Sequence, residues 1–193
     1  MSRKIIFATN NAHKLGEVQA LLGGEFELVT LRECGITEDI PENEPTLEGN
    51  SLAKARYVYE RTGADCFADD TGLEVDALGG EPGVRSARYA TDGHDFGANN
   101  CLLLRNLEGV EERTARFRTI ITLILDGEEH RFEGRVEGRI AESEAGCGGF
   151  GYDPLFIPEG EQATFAEMSA EAKNAISHRG RAVEKLVEFL KNR

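Results

Sequence analysis

The chain has 193 residues, with 22 Lys and Arg against 35 Asp and Glu, a formal charge of −13 at pH 7. That excess of acid opposes a sequence-independent grip on nucleic-acid phosphates or on an anionic membrane surface, yet still allows a small anion to be held where a few cations converge. With 40% hydrophobic and 30% charged residues it reads as one folded domain, residues 1–193, and not as a disordered or fibrous chain.

A short buried strand is expected from Lys4 to Thr9, ending in Asn10-Asn11. A helix follows, with Leu15, Val18, Leu21 and Leu22 on one stripe and Gly23-Gly24 as its stop. Glu38 to Pro45 has no periodicity and reads as a loop, with Thr46 as the N-cap of a helix reaching Thr62. On that helix Leu47, Ser51, Ala55 and Val58 share one face, and Asn50, Lys54 and Tyr57 share another. A short strand, Cys66 to Ala68, runs into Asp69-Asp70, then a brief extension from Leu73 to Val75 and a glycine-rich turn. Asn99 to Leu107 reads as part of a helix, Thr114 to Leu125 as an alternating strand, and Asp126-Gly127 as a hairpin turn into a return strand near His130 to Val136. Gly146 to Gly149 forms a glycine-rich loop, and Ser169 and Ser177 are candidate caps of two closing helices. Parallel and antiparallel signals together predict a mixed-sheet α/β fold. The four cysteines, Cys34, Cys66, Cys101 and Cys147, lack metal spacing and read as reduced thiols. No apolar run is long enough for a signal sequence or a bilayer span, so a cytoplasmic protein is expected.

Lys14 and His13 fall in the first turn of the first helix, where the helix dipole disfavours cations by about 0.3–1 kcal/mol. An anion cradle built with Asn10, Asn11 and the backbone N–H groups of that turn is one reading, and a solvated surface lysine is the other. The same pattern recurs at the last helix, where His178, Arg179 and Arg181 follow Ser177, and Lys54 and Lys173 could join such a cluster. Asp69-Asp70 at the end of a strand could hold a hard cation with one carboxylate and orient a water with the other, Glu42 being a further oxygen ligand. Two aspartates in an acidic turn are the plainer reading. Phe150 and Tyr152 could offer a stacking face to a base or could pack in the core.

Four strings carry a resemblance: Thr9-Asn10-Asn11-x-x-Lys14-x-x-Glu17; Ala68-Asp69-Asp70-Thr71-Gly72-Leu73 continuing to Ser86-Ala87-Arg88-Tyr89; Phe150-Gly151-Tyr152-Asp153-Pro154-x-Phe156; and Lys173-Asn174-x-Ile176-Ser177-His178-Arg179. In this order, and over nearly the whole chain, they resemble the inosine/xanthosine triphosphate pyrophosphatase family. The resemblance implies a two-lobed α/β protein with an elongated mixed sheet flanked by helices, an active site in the cleft between lobes, and a homodimer. It implies Mg²⁺-dependent hydrolysis of ITP, dITP and XTP to monophosphate and pyrophosphate, and the acidic charge balance separately predicts no nucleic-acid or membrane partner. Carried over by motif, Thr9, Asn10, Asn11, Ala12, His13 and Lys14 would hold the phosphates with Lys54, and Thr71 would touch substrate. Glu42 and Asp70 would bind metal, Asp70 would activate water beside Asp69, and Phe150, Gly151, Tyr152, Asp153, Lys173, His178 and Arg179 would surround the base. The chain departs from the family pattern at Thr71, where Ser is common, and at Gly49-Asn50-Ser51, where Glu-Asn-Ala is common. A Maf-like pyrophosphatase acting on other nucleotides and a non-catalytic nucleotide sensor are the alternatives.

Overall fold

The computed structural model describes residues 3–22, 24 and 26–193. In chain order the elements are β1 (Arg3–Phe7), α1 (Ala12–Leu22), β2 (Phe26–Val29), α2 (Leu47–Thr62), β3 (Cys66–Val75), β4 (Pro82–Gly83), α3 (Phe96–Asn106), β5 (Thr114–Leu125), β6 (Glu128–Ile140), β7 (Phe156–Pro158), α4 (Ala170–Ile176) and α5 (His178–Lys191). Among the described residues the strands pair in the order β2-β1-β3-β5-β6-β7, with β4 on β3. β1 runs parallel to β2 and β3, whereas β7 runs antiparallel to β6 and β4 to β3, so the α/β sheet is mixed as expected. The chain forms two compact units, Met1–Asp70 with Thr119–Gly134 and Arg179–Arg193, and Thr71–Arg118 with Arg135–His178.

The first unit follows from alternation along β1. Ile5 and Phe7 pack with Val18 and Leu22 of α1 and Val183, Leu186 and Leu190 of α5, while Ile6 and Ala8 pack with Ala55 and Val58 of α2. Helices thus cover both faces of a parallel sheet, and Phe7 and Phe67 on adjacent strands stack at 4.5 Å. Each such fully buried side chain contributes about 1.5–3 kcal/mol. The second unit has its own core, in which Leu73, Leu103, Phe117, Val136, Tyr152, Phe156 and Phe165 meet. β5 records both environments. Thr114 to Arg118 alternates between buried and less buried residues, and from Thr119 onward every residue is buried.

Several boundaries are as expected. Thr46 caps α2, its hydroxyl oxygen accepting the Gly49 N–H at 3.0 Å, and β5 spans Thr114–Leu125. Asp126 and Gly127 both take positive φ, 52° and 83°, as a two-residue hairpin turn requires. Other boundaries differ. β3 is a single strand of ten residues, so Asp69 and Asp70 lie in its middle and not at its C-terminal end. The strand continues because both carboxylates are paired in the interior, which removes the reason for it to leave the sheet. α3 starts at Phe96 because Asp95 accepts the Ala98 N–H at 2.9 Å, three residues earlier than the apolar stripe indicates. β2 and β7, four and three residues long, were too short to read from periodicity. The first helix ends at Leu22, and of the expected Gly23-Gly24 stop, Gly23 lies outside the described residues.

Candidate active site

Because successive strand residues point to opposite faces, Asp69 and Asp70 acquire different partners from the same backbone. Asp69 faces α1 and α5: its Oδ1 accepts from Lys14 Nζ at 2.9 Å, and its Oδ2 accepts from both Nε and Nη2 of Arg179 at 3.3 Å. The remaining side of the Arg179 guanidinium donates to Glu17. Asp70 faces α2: its Oδ1 accepts from Lys54 Nζ at 3.2 Å and its Oδ2 from Asn50 Nδ2 at 3.2 Å. Lys54 also donates to Glu42 Oε1 at 2.5 Å, so one ammonium joins the acidic loop to the strand. All these residues belong to the first unit.

The two aspartates therefore differ electrostatically. Burial opposes ionisation of Asp69, but Lys14, Arg179 and Lys54 outweigh it and hold that carboxyl well below the usual carboxylate range. Burial pushes Asp70 the other way, and Glu42 and Asp69 add to the upward shift, so that Lys54 and Lys14 do not cancel it. Burial likewise presses Lys14 below the ordinary lysine value, against the attraction of Asp69. Burial also opposes the charge of Lys54, but Asp70 and Glu42 raise its pKa above the ordinary value. The arrangement places a carboxylate held as an anion back to back with one of raised proton affinity, and a carboxylate of raised proton affinity is the better proton acceptor of the two.

The turn before α1 is used differently from the simplest cradle. Asn11 Oδ1 accepts the N–H groups of His13 at 3.0 Å and Lys14 at 3.1 Å, and Thr9 Oγ1 accepts the Asn11 N–H at 3.1 Å. Asn11 thus caps the helix as an acceptor, and Asn10 donates to Asp39 Oδ1 at 3.2 Å. Ala12 opens α1. Lys14 is not a solvated surface lysine, since its charge is already met by a buried carboxylate.

In the second unit Asp153 Oδ2 accepts the Phe150 N–H at 2.9 Å and Lys173 Nζ at 2.7 Å, and that ammonium lies 5.1 Å from the Phe150 ring centre. Gly149 makes the close approach possible: at φ 67° a Cβ there would come within 2.0 Å of Asp153 Oδ2. Gly151 also takes positive φ, at 62°. Tyr152 packs in the core and donates to the Ser86 carbonyl at 2.8 Å, which leaves Phe150, half-buried, as the aromatic face of the pair. His178 is buried and stacks on Phe117 at 4.5 Å. Thr71 is half-buried on β3. The structure joins Arg179 to Asp69 and Glu17, whereas Phe150, Asp153 and Lys173 cluster in the other unit.

Sequence reasoning assigned no role to Glu17 or Asn50. Both were signalled by helical spacing, Glu17 lying three residues after Lys14 on α1 and Asn50 four residues before Lys54 on α2.

Magnesium was expected at Glu42 and Asp70. Their carboxylate oxygens already converge on one cation, Lys54 Nζ, and oxygen donors are the chemistry a hard divalent ion takes. Among the described residues no group of three or more His, Cys, Asp or Glu side chains is placed to hold a metal ion. Two carboxylates completed by waters and phosphate oxygens are the arrangement Mg²⁺ adopts with nucleotides, so the residues fit.

Residues 5–189 match the model of the Ham1 family. The chain is 56% identical over 188 residues to a dITP/XTP pyrophosphatase of Porphyromonas gingivalis, covering 97% of each chain. It is 49% identical to the Flavobacterium johnsoniae protein of the same name, again covering 97% of each. Among solved structures it superposes on a HAM1 protein from Coxiella burnetii with a TM-score of 0.90 at 37% identity, over 99% of this chain and all of that one. A dITP/XTP pyrophosphatase from Mycobacterium abscessus gives a TM-score of 0.77 at 45% identity, over 95% and 98%. With a model match over nearly its full length and relatives this similar, the chain belongs to the Ham1 family.

Proposed function

We propose that this protein hydrolyses ITP, dITP and XTP between the first and second phosphates, releasing the nucleoside monophosphate and pyrophosphate. The observation that carries the reading is the back-to-back pair on β3, with Asp69 fixed as an anion beneath Lys14 and Asp70 held with raised proton affinity beside Lys54. The names of the relatives support the substrate class. In this reading Lys14 and Lys54 meet phosphate oxygens, with Thr9 to His13 beside them and Thr71 contacting substrate. Asp70 accepts the proton of the attacking water, and Asp69 keeps Lys14 charged and in place. Arg179 takes part at the phosphate end through Asp69, because both sides of its guanidinium already face carboxylates. Phe150, Gly151, Tyr152, Asp153, Lys173 and His178 are assigned to the base and its surroundings.

Charge explains why a divalent ion belongs here. Lys14, Lys54 and Arg179 stand against Asp69, Asp70, Glu42 and Glu17, three cations against four carboxylates, which would repel a triphosphate. Mg²⁺ held by Glu42 and Asp70 would neutralise phosphate oxygens as pyrophosphate departs. A cytoplasmic homodimer without nucleic-acid or membrane partners completes the proposal, and no helix among the described residues is long and apolar enough to cross a membrane.

The test is a nucleoside triphosphate panel with Mg²⁺ and products identified by mass. Monophosphate and pyrophosphate from ITP, dITP and XTP, far faster than from ATP, are expected. Diphosphate and orthophosphate as first products would overturn the reading, as would binding without turnover.

A further inference from the structure

We propose that Asn50 is a positioning residue for the reaction assigned above, its side-chain amide fixing Asp70 and the acidic loop bearing Glu42 as one metal-binding pair. The inference rests on that functional reading and concerns a residue it does not use. Asn50 is 1% exposed, and both ends of its amide are engaged: Nδ2 donates to Asp70 Oδ2 at 3.2 Å, and Oδ1 accepts the Glu44 N–H at 3.0 Å. It thereby links the strand to a backbone atom two residues from Glu42.

The same face of α2 makes three ties to the loop at helical spacing. Tyr57 donates its hydroxyl to Glu38 Oε1 at 2.6 Å, Lys54 its ammonium to Glu42 at 2.5 Å, and Asn50 accepts from Glu44. The segment, which has no regular secondary structure, is therefore laid antiparallel along the helix. Gly49 lets it lie close, since a Cβ at that position would come within 2.7 Å of Glu44 Cβ. Of the three ties, those from Lys54 and Asn50 also reach Asp70, and they take different oxygens. The choice of an amide matters. A second ammonium, in place of Asn50, would add to that of Lys54 in competing with a divalent ion for Asp70, and an apolar side chain would leave Asp70 Oδ2 and the Glu44 N–H to find other partners. A neutral donor and acceptor in one rigid group orients the two metal ligands without neutralising either.

The experiment measures Mn²⁺ binding to the metal-free full chain by calorimetry, alongside ITP turnover as a function of free Mg²⁺ and of ITP. Asn50→Ala is expected to weaken Mn²⁺ binding by about 10–100-fold and to raise the Mg²⁺ needed for half-maximal rate to match. Ser51→Ala is the control for general damage: Ser51 is buried beside Asn50 but bonds Ala68 O and Thr122, so its loss should lower the melting temperature and leave Mn²⁺ affinity unchanged. If Asn50→Ala does not fold, Asn50→Asp keeps the shape and the acceptor for the Glu44 N–H but loses the donor toward Asp70, and kcat should fall at least tenfold with KM little changed. Mn²⁺ affinity in Asn50→Ala equal to wild type, or wild-type kcat in Asn50→Asp, overturns the inference alone. Absence of Mn²⁺ binding by the wild type overturns it together with the metal site on which it rests.

Discussion

Asp69 and Asp70 are neighbours in sequence and opposites in chemistry, and single substitutions should separate them. Asp69→Asn leaves Arg179 and Lys14 buried without their shared anion, which should cost about 3–5 kcal/mol by urea unfolding at pH 7. Folding depresses the Asp69 pKa, so its stabilisation is complete above the unfolded carboxylate value and is lost as pH falls through the folded one. The gap between wild type and Asp69→Asn should accordingly be widest near neutrality and shrink below about pH 4. For Asp70 the sign reverses. Its pKa is raised by folding, so the stability tied to its neutral form is present at low pH and lost as pH rises, and the ionised group is a burden at pH 7. Asp70→Asn should remove most ITP turnover, about 10²–10⁴-fold, while leaving the melting temperature at or above that of wild type. A lower melting temperature would show that its pairing with Lys54 outweighs burial. Arg179→Ala tests the phosphate-end assignment. The two substrates share a triphosphate, so kcat/KM for ITP and ATP should fall by the same factor, and a changed ratio would return Arg179 to the base.

At the scale of elements, α2 carries the most functional weight for its length. Its apolar face places Ala55 and Val58 against the sheet, and its polar face presents Asn50 and Lys54 to Asp70. The helix start must be fixed for that face to keep its phase, and Thr46 fixes it through the Gly49 N–H. Thr46→Ala should cost about 0.5–2 kcal/mol in unfolding free energy, and more in turnover than that loss explains if the first turn frays, since Asn50 lies in it. Equal turnover at full folding would show that the loop alone holds the site. α1 makes a parallel use of one short helix, with Val18 and Leu22 in the core and Lys14 and Glu17 at the charge cluster.

At the scale of the whole molecule, a chain of net charge −13 keeps several of its few cations inside: Lys54, Lys173 and Arg179 are buried and Lys14 is half-buried. Lys14, Lys54, Lys173 and Arg179 are all turned to buried carboxylates, and the exposed Lys and Arg, such as Arg56, Arg61 and Arg135, are outnumbered by acidic residues. A duplex DNA fragment should therefore show no mobility shift with this protein at about 0.15 M salt, since the net charge of −13 repels the phosphate backbone. A retarded band that vanished with added salt would reveal a basic surface patch. Each unit has its own apolar core, and the segments of each are interleaved in sequence, so no single cut of the chain separates them.

Local physics made much of this legible in the sequence. Thr46 announces its helix because a hydroxyl can accept an N–H one turn on, and Asp126-Gly127 announces a hairpin because the pair tolerates positive φ. The cations at two helix starts stood out because the dipole disfavours them, and the order of motifs pointed to the family. The sequence could not show that β3 continues through Asp69-Asp70, because a charged pair breaks an apolar run unless its partners come from afar. Lys14 is 55 residues from Asp69 along the chain, and Arg179 is 110. Nor could it rank the two aspartates, or give Arg179 to Asp69 and Glu17. Proton affinity depends on burial and on the charges that surround a group in space, and only the tertiary structure fixes those.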